Sequence, residues 1–170
     1  MEIFDVEDEK RYVRAFVGIP LPLSFRMEFA NLLTDLTTIE PELRPVDKET
    51  PHVLLYFLDN QPGKTLKVLA GEVEKAAKQF AGVRLEIGGA DRFGNGRREV
   101  ILLRVHGFAK VENEMGLLRE KLKKYQKEGK SFSPHLTVAR KEGAGEMKSA
   151  VAERLDKIGW TFEVEELLIY

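Results

Sequence analysis

The sequence predicts an α+β fold in two lobes, each an antiparallel sheet flanked by helices, set about a central groove with pseudo-twofold symmetry. Two observations carry this expectation. The order of strand-like and helix-like segments reads β-α-β-β-α-β-β-α-β-α-β, and several adjacent strand pairs have no helix between them, which favours antiparallel pairing over a doubly wound parallel sheet. The chain also carries one short phrase twice, Pro51-His52-Val53-Leu54-Leu55 and Pro134-His135-Leu136-Thr137-Val138, with the histidines 83 positions apart. Each phrase opens an apolar run that reads as a strand, so each lobe offers one histidine strand to a shared groove.

Residues 1–10 are acidic and aperiodic and read as a leader, leaving 11–170 as one bilobal domain. Arg11–Ile19 is rich in Tyr, Val and Phe and ends at Pro20 and Pro22, a strand followed by punctuation. Phe25, Phe29, Leu32, Leu33 and Leu36 recur at helical spacing, which predicts a helix over 23–37. A short extended piece, Leu43–Val46, precedes the first histidine strand, His52–Leu58. Leu66, Leu69, Ala70, Val73, Ala77 and Phe80 mark a second helix behind Pro62-Gly63. Val83, Leu85 and Ile87 alternate as a half-buried strand, followed by a Gly-rich connector and a strand over Val100–Val105. Phe108, Val111, Met115, Leu118, Leu122 and Tyr125 define a third helix whose exposed side carries Lys121, Lys123, Lys124 and Lys127. The second histidine strand covers His135–Arg140. A short helix (Met147, Val151, Leu155, Ile158) leads to a closing strand, Trp160–Tyr170.

Composition narrows the function. At 170 residues the chain builds one sizeable core or two small lobes. Its 43% apolar and 32% charged residues are an ordinary globular balance. A net charge of −1 removes any whole-protein basic field, so contact with nucleic acid needs a local patch. The absence of cysteine excludes disulfides, thiol nucleophiles and cysteine-ligated metals. No apolar run approaches the ~18–20 residues of a membrane span, so a cytoplasmic, non-membrane protein, taken as a monomer, is expected.

Two of the three histidines stand in the matched phrases. A pair of imidazoles flanking one substrate suits base-then-acid chemistry near neutral pH. Side chains at i and i+2 of a strand share a face, which sets Thr137 beside His135 as a hydroxyl donor for a phosphoryl oxygen. The same rule sets Leu54, then Tyr56, beside His52, making Tyr56 the aromatic expected in the groove. Strict alternation turns Arg140 away from His135, leaving it either a phosphate contact or a surface ion-pair partner. Arg92–Arg98 (RFGNGRR) reads as a hairpin connector on its Asn-Gly, with enough charge to meet a polyanion at the groove rim. Phe16, Phe57 and Trp160 read as core, and His106 as surface.

Four stretches together resemble a known family. Arg14–Pro22 (RAFVGIPLP) is similar to the opening strand and turn of the two-histidine (2H) phosphoesterases. Within them the chain resembles the RNA 2′,3′-cyclic phosphodiesterases once called 2′-5′ RNA ligases. Pro51–Leu58 (PHVLLYFL) resembles their first His-x-Thr strand, residues 132–140 (FSPHLTVAR) their second, and Phe162–Tyr170 their final strand. Leu54 departs from the pattern, standing where the family has Thr or Ser. The resemblance implies hydrolysis of a 2′,3′-cyclic phosphate on RNA or a nucleotide to a 2′-phosphomonoester, without metal or other cofactor. It implies His135 as general base, His52 as general acid, Thr137 as phosphoryl donor and Arg140 as a basic contact. Leu54 keeps two alternatives open: a weakened module that binds nucleotides or RNA ends, and a phosphodiesterase for another small cyclic phosphate.

Overall fold

The computed structural model describes residues 11–125, 133–143 and 145–170. The acidic leader, Lys127 and Phe132 lie outside them. Four α-helices lie in these residues, α1 (Leu23–Ile39), α2 (Gly63–Phe80), α3 (Glu112–Leu122) and α4 (Ser149–Asp156). The strands are β1 (Tyr12–Pro20), β2 (Arg44–Pro45), β3 (His52–Pro62), β4 (Arg84–Gly94), β5 (Arg98–His106), β6 (His135–Glu142), β7 (Trp160–Glu163) and β8 (Leu168–Ile169). No helix among the described residues is long and apolar enough to cross a membrane.

Helical periodicity places the buried stripes. Phe29, Leu32, Leu33 and Leu36 of α1 are buried, as are Leu66, Leu69, Val73 and Phe80 of α2. Both helices start directly after a proline, Pro22 and Pro62, whose missing N–H is no loss at a helix start. The predicted third helix is α3 with a 3₁₀ turn at each end, Phe108–Val111 and Lys123–Tyr125. Its Lys121 reaches Glu72 of α2 at 3.0 Å.

The strands run in the order β7-β4-β5-β6-β3-β1-β8, with β2 on β6, and all pairs are antiparallel. The two expected sheets join at one narrow place. β3 and β6 pair only at Val53↔Leu136 and Leu54↔His135, which puts both histidine phrases at the seam. The closing strand divides in two: β7 pairs with β4 at one edge and β8 with β1 at the other. Only residues 164–167 link them, so the edges lie within ~18 Å. A flat seven-strand path spaced at about 4.8 Å would hold them ~29 Å apart, so the sheet is strongly curled. Val164 and Leu167 anchor this link in the core.

One sheet face, carrying Val17, Ile19, Val53, Leu85, Ile87, Ile101, Leu103 and Leu136, packs with the helices into the core. The other face carries the histidines. At the end of β6, the buried Lys141 donates from Nζ to Glu40 Oε1 at 2.5 Å and to the Glu146 carbonyl at 2.8 Å, tying the strand to the end of α1. The predicted connector at Gly88-Gly89 is instead an irregularity within β4. The register shifts between Ile87 and Ala90 and the strand continues to Gly94.

Candidate active site

The two histidines are anchored alike. His52 donates from Nδ1 to the Thr50 carbonyl at 2.8 Å, and His135 from Nδ1 to the Ser133 carbonyl at 2.8 Å. A carbonyl only accepts, so each Nδ1 carries the proton and each neutral ring keeps its basic lone pair on Nε2. Burial lowers the pKa of both imidazoles below the ordinary histidine value. The upstream carbonyl opposes this in each case, and the charge of His135 lowers His52 further. Burial therefore favours the neutral form of both rings. The pairing of His135 with Leu54, two residues along β3 from His52, brings the two rings to one place on the sheet.

Cross-strand register defines the face around them. Gly18 pairs with Leu54, Leu54 with His135, and His135 with Arg104, one row from β1 to β5. Thr137 follows on β6, opposite Leu102. The register then slips. Ile101 pairs with Ala139 and Leu102 with Thr137, so Val138 is a bulged extra residue. A bulge reverses the alternation beyond it. Ala139 and Lys141 turn into the core, and Arg140 returns exposed to the face of His135 and Thr137. The expectation that Arg140 points away is corrected by this one residue.

β3 bulges at the matching position, three residues after its histidine. Gly18 pairs with Leu54 and Val17 with Tyr56, leaving Leu55 as the extra residue. Here the consequence is opposite. Tyr56, expected in the groove, turns into the core, where it is 1% exposed and its hydroxyl donates to the Met115 carbonyl at 2.8 Å. Phe57 takes the groove face instead, beneath the Arg14 guanidinium at 4.8 Å.

Two further aromatics, neither expected at the site, border His52. Phe16 stacks on its ring at 4.7 Å between centroids and Tyr170 at 4.5 Å. Phe16 and Tyr170 exchange backbone hydrogen bonds at 3.0 and 2.9 Å, so both rings stand on the same face. Reading Phe16 as core was wrong. Its alternation with Gly18 on an unbulged β1 could have marked it. Trp160 is in the core as expected, donating to Glu28 at 2.9 Å, and His106 is exposed.

Around His135 the site is more polar. Arg104 donates from Nε to Asp91 Oδ2 at 3.0 Å, and Arg44, opposite Arg140, pairs with Glu142 at 3.5 Å. Arg92–Arg98 forms the β4–β5 hairpin, where the Asn95 side chain accepts from the N–H groups of Arg97 and Arg98. Phe93, the hairpin's exposed aromatic, meets the His135 ring edge-on at 5.4 Å, placing the hairpin beside the histidines. Among the described residues no three His, Asp or Glu side chains gather as metal ligands.

Two equally anchored imidazoles stand together at the junction of two antiparallel halves. The chain belongs to the 2′-5′ RNA ligase superfamily, the two-histidine phosphoesterases, whose family model matches residues 27–170. Its fold is similar to TT0787 of Thermus thermophilus, at 22% identity and TM-score 0.68, covering 92% of this chain and 87% of that one. It is similar to E. coli LigT complexed with 3′-AMP, at 20% identity and TM-score 0.67, covering 95% and 88%. It is also similar to the MHV ns2 PDE domain, at 16% identity and TM-score 0.65, covering 93% and 99%. A search of curated protein sequences finds no match.

Proposed function

We propose that the protein hydrolyses 2′,3′-cyclic phosphates at RNA ends or on nucleotides, leaving a 2′-phosphomonoester and needing no metal. The observation that carries this reading is the matched pair of imidazoles, each held by Nδ1 so that Nε2 is its proton-exchanging atom. Water attacks phosphorus as His135 Nε2 takes its proton. The bond from phosphorus to the 3′-oxygen breaks as protonated His52 gives that oxygen its proton through Nε2. The product is a 2′-phosphate beside a 3′-hydroxyl. Proton exchange with solvent then resets the pair. Each positioned acid or base contributes typically ~10²–10⁴ in rate. Thr137 donates to a non-bridging oxygen from the His135 side, and Arg140, on the same face beyond the bulge, holds backbone phosphate. Supporting this substrate class, LigT has been crystallised with 3′-AMP, ATP, NADP+ and phosphate.

Leu54 favours a second reading, binding of the same ends without turnover, because an apolar side chain offers no donor beside His52. Alanine at His52 and at His135 separates the two. Each single variant is expected to lose most turnover, and the double variant to be little worse than the worse single, as for groups acting as a unit. Full activity in either single variant rejects the assignment. A wild-type protein that binds the cyclic phosphate but never opens it establishes the binding reading.

A further inference from the structure

The donor that Leu54 cannot offer can come from across β1, where Tyr170 follows the end of β8. We propose that the Tyr170 hydroxyl donates a hydrogen bond to the phosphoryl oxygen on the Leu54 side of the site, making Tyr170 a catalytic residue. This rests on the hydrolytic reading above and extends it.

The geometry comes from Gly18. A Cβ at that position would lie 3.2 Å from Cε2 of Tyr170 and 3.4 Å from Cδ2 of His52. Cε2 is two bonds from the tyrosine hydroxyl oxygen, and Cδ2 is one bond from Nε2. The hydroxyl edge of the phenol and the Nε2 edge of the imidazole therefore stand over the same backbone residue. Gly18 is the direct cross-strand neighbour of Leu54, and Leu54 of His135. From Gly18 to His135 is two strand spacings, ~10 Å, room for one phosphoryl group with a hydrogen bond at each side.

The ring is held for this purpose. It stacks on His52 with planes 28° apart and on Phe16 with planes 12° apart, and the backbone bonds to Phe16 fix its Cα. Burial, then the Glu166 carboxylate, pushes its pKa up to about 12 against the opposing charge of Arg26. The phenol thus stays protonated across the working pH range and remains a donor. Thr137 serves the His135 side and Tyr170 the His52 side. The hydroxyl missing from the first histidine phrase is supplied from β8's end of the sheet.

Tyr170→Phe keeps both ring stacks and removes only the donor. On an oligonucleotide ending in 2′,3′-cyclic phosphate, kcat is expected to fall about 10- to 100-fold while KM stays within about threefold. The pH limbs set by the histidines should not move. Leu54→Thr should then restore about tenfold of kcat in the Tyr170→Phe background, and less than about threefold in the wild type. Unchanged kcat in Tyr170→Phe, with wild-type turnover intact, overturns the proposal and leaves the hydrolytic reading standing. A loss that comes with shifted pH limbs also overturns it, since Tyr170 would then act only through the packing of His52. Should the wild type show no turnover, the hydrolytic reading fails and titration with inorganic phosphate decides the rest. Weaker phosphate binding by Tyr170→Phe, by about fivefold or more, supports the hydroxyl as a phosphate donor. Equal binding, or none by either protein, overturns it.

Discussion

Alanine at Gly18 is the smallest change that disturbs the site from its floor. Gly18 is not in the left-handed backbone region, so any penalty is steric rather than conformational. The added Cβ would sit 2.9 Å from the Val53 carbonyl oxygen, a backbone atom that cannot swing aside, and 3.2 and 3.4 Å from the Tyr170 and His52 rings. β1 and β3 must part by a few tenths of an ångström where Gly18 pairs with Leu54, or the rings must lift. Overpacking of this kind typically costs about 1–3 kcal/mol. At ~2–4 °C per kcal/mol for a chain of this size, Tm is expected to fall by roughly 2–12 °C. The larger effect is on chemistry. A misplacement of ~1 Å at a reacting group can cost about 10²-fold, so a lift of a few tenths predicts a kcat loss of roughly threefold to tenfold. Thermal unfolding followed by circular dichroism, together with steady-state kcat, measures both. Wild-type Tm and kcat in the alanine variant would refute the claim that Gly18 fixes the His52 and Tyr170 rings.

Four other expectations follow from the same geometry. Burial lowers both histidine pKa values, so the reactive state, one ring protonated and one neutral, is most populated below pH 6.5. The kcat/KM profile should peak on the acidic side and fall about tenfold per pH unit above its alkaline limb. The same shifts mean that the unfolded chain protonates first as pH falls. Stability present above the ordinary histidine pKa is then lost toward the lowered folded values, and His52→Gln should lessen that loss in acid unfolding curves. Tyr56→Phe should cost ~0.5–1.5 kcal/mol in urea unfolding by losing the bond to Met115, yet leave kcat within about twofold, since Tyr56 lies in the core. Arg140→Gln should raise KM for an oligonucleotide and reduce the slope of log KM against log salt by about 0.7–0.9, the signature of one phosphate contact.

Much of this molecule is legible in the sequence where a signal repeats. The spacing of Phe29, Leu32, Leu33 and Leu36 finds α1, and the doubled phrase finds both histidines and the seam at which their strands meet. What escapes the sequence turns on single residues. Whether Tyr56 or Phe57 faces the groove depends on a bulge at Leu55, and the position of Arg140 on one at Val138. Each bulge is set by pairing with a distant strand, Leu55 against β1 and Val138 against β5. The matched offset, three residues past each histidine, is the trace they leave. The closing segment fails for a related reason. Glu165-Glu166 between the buried Val164 and Leu167 breaks the alternation, but that β7 and β8 lie on opposite edges follows only from the curl of the whole sheet. Tyr170 passes unnoticed because a tyrosine at a strand end reads as packing until its ring is seen against His52.

The central claim is tested most directly by ³¹P NMR of an oligoribonucleotide ending in a 2′,3′-cyclic phosphate, incubated with the protein and excess chelator. The account predicts that the cyclic resonance gives way to that of a 2′-phosphomonoester alone, at a rate chelation does not change. A persistent cyclic phosphate, a 3′-phosphate product, or activity lost to chelator and restored by a divalent cation would contradict it.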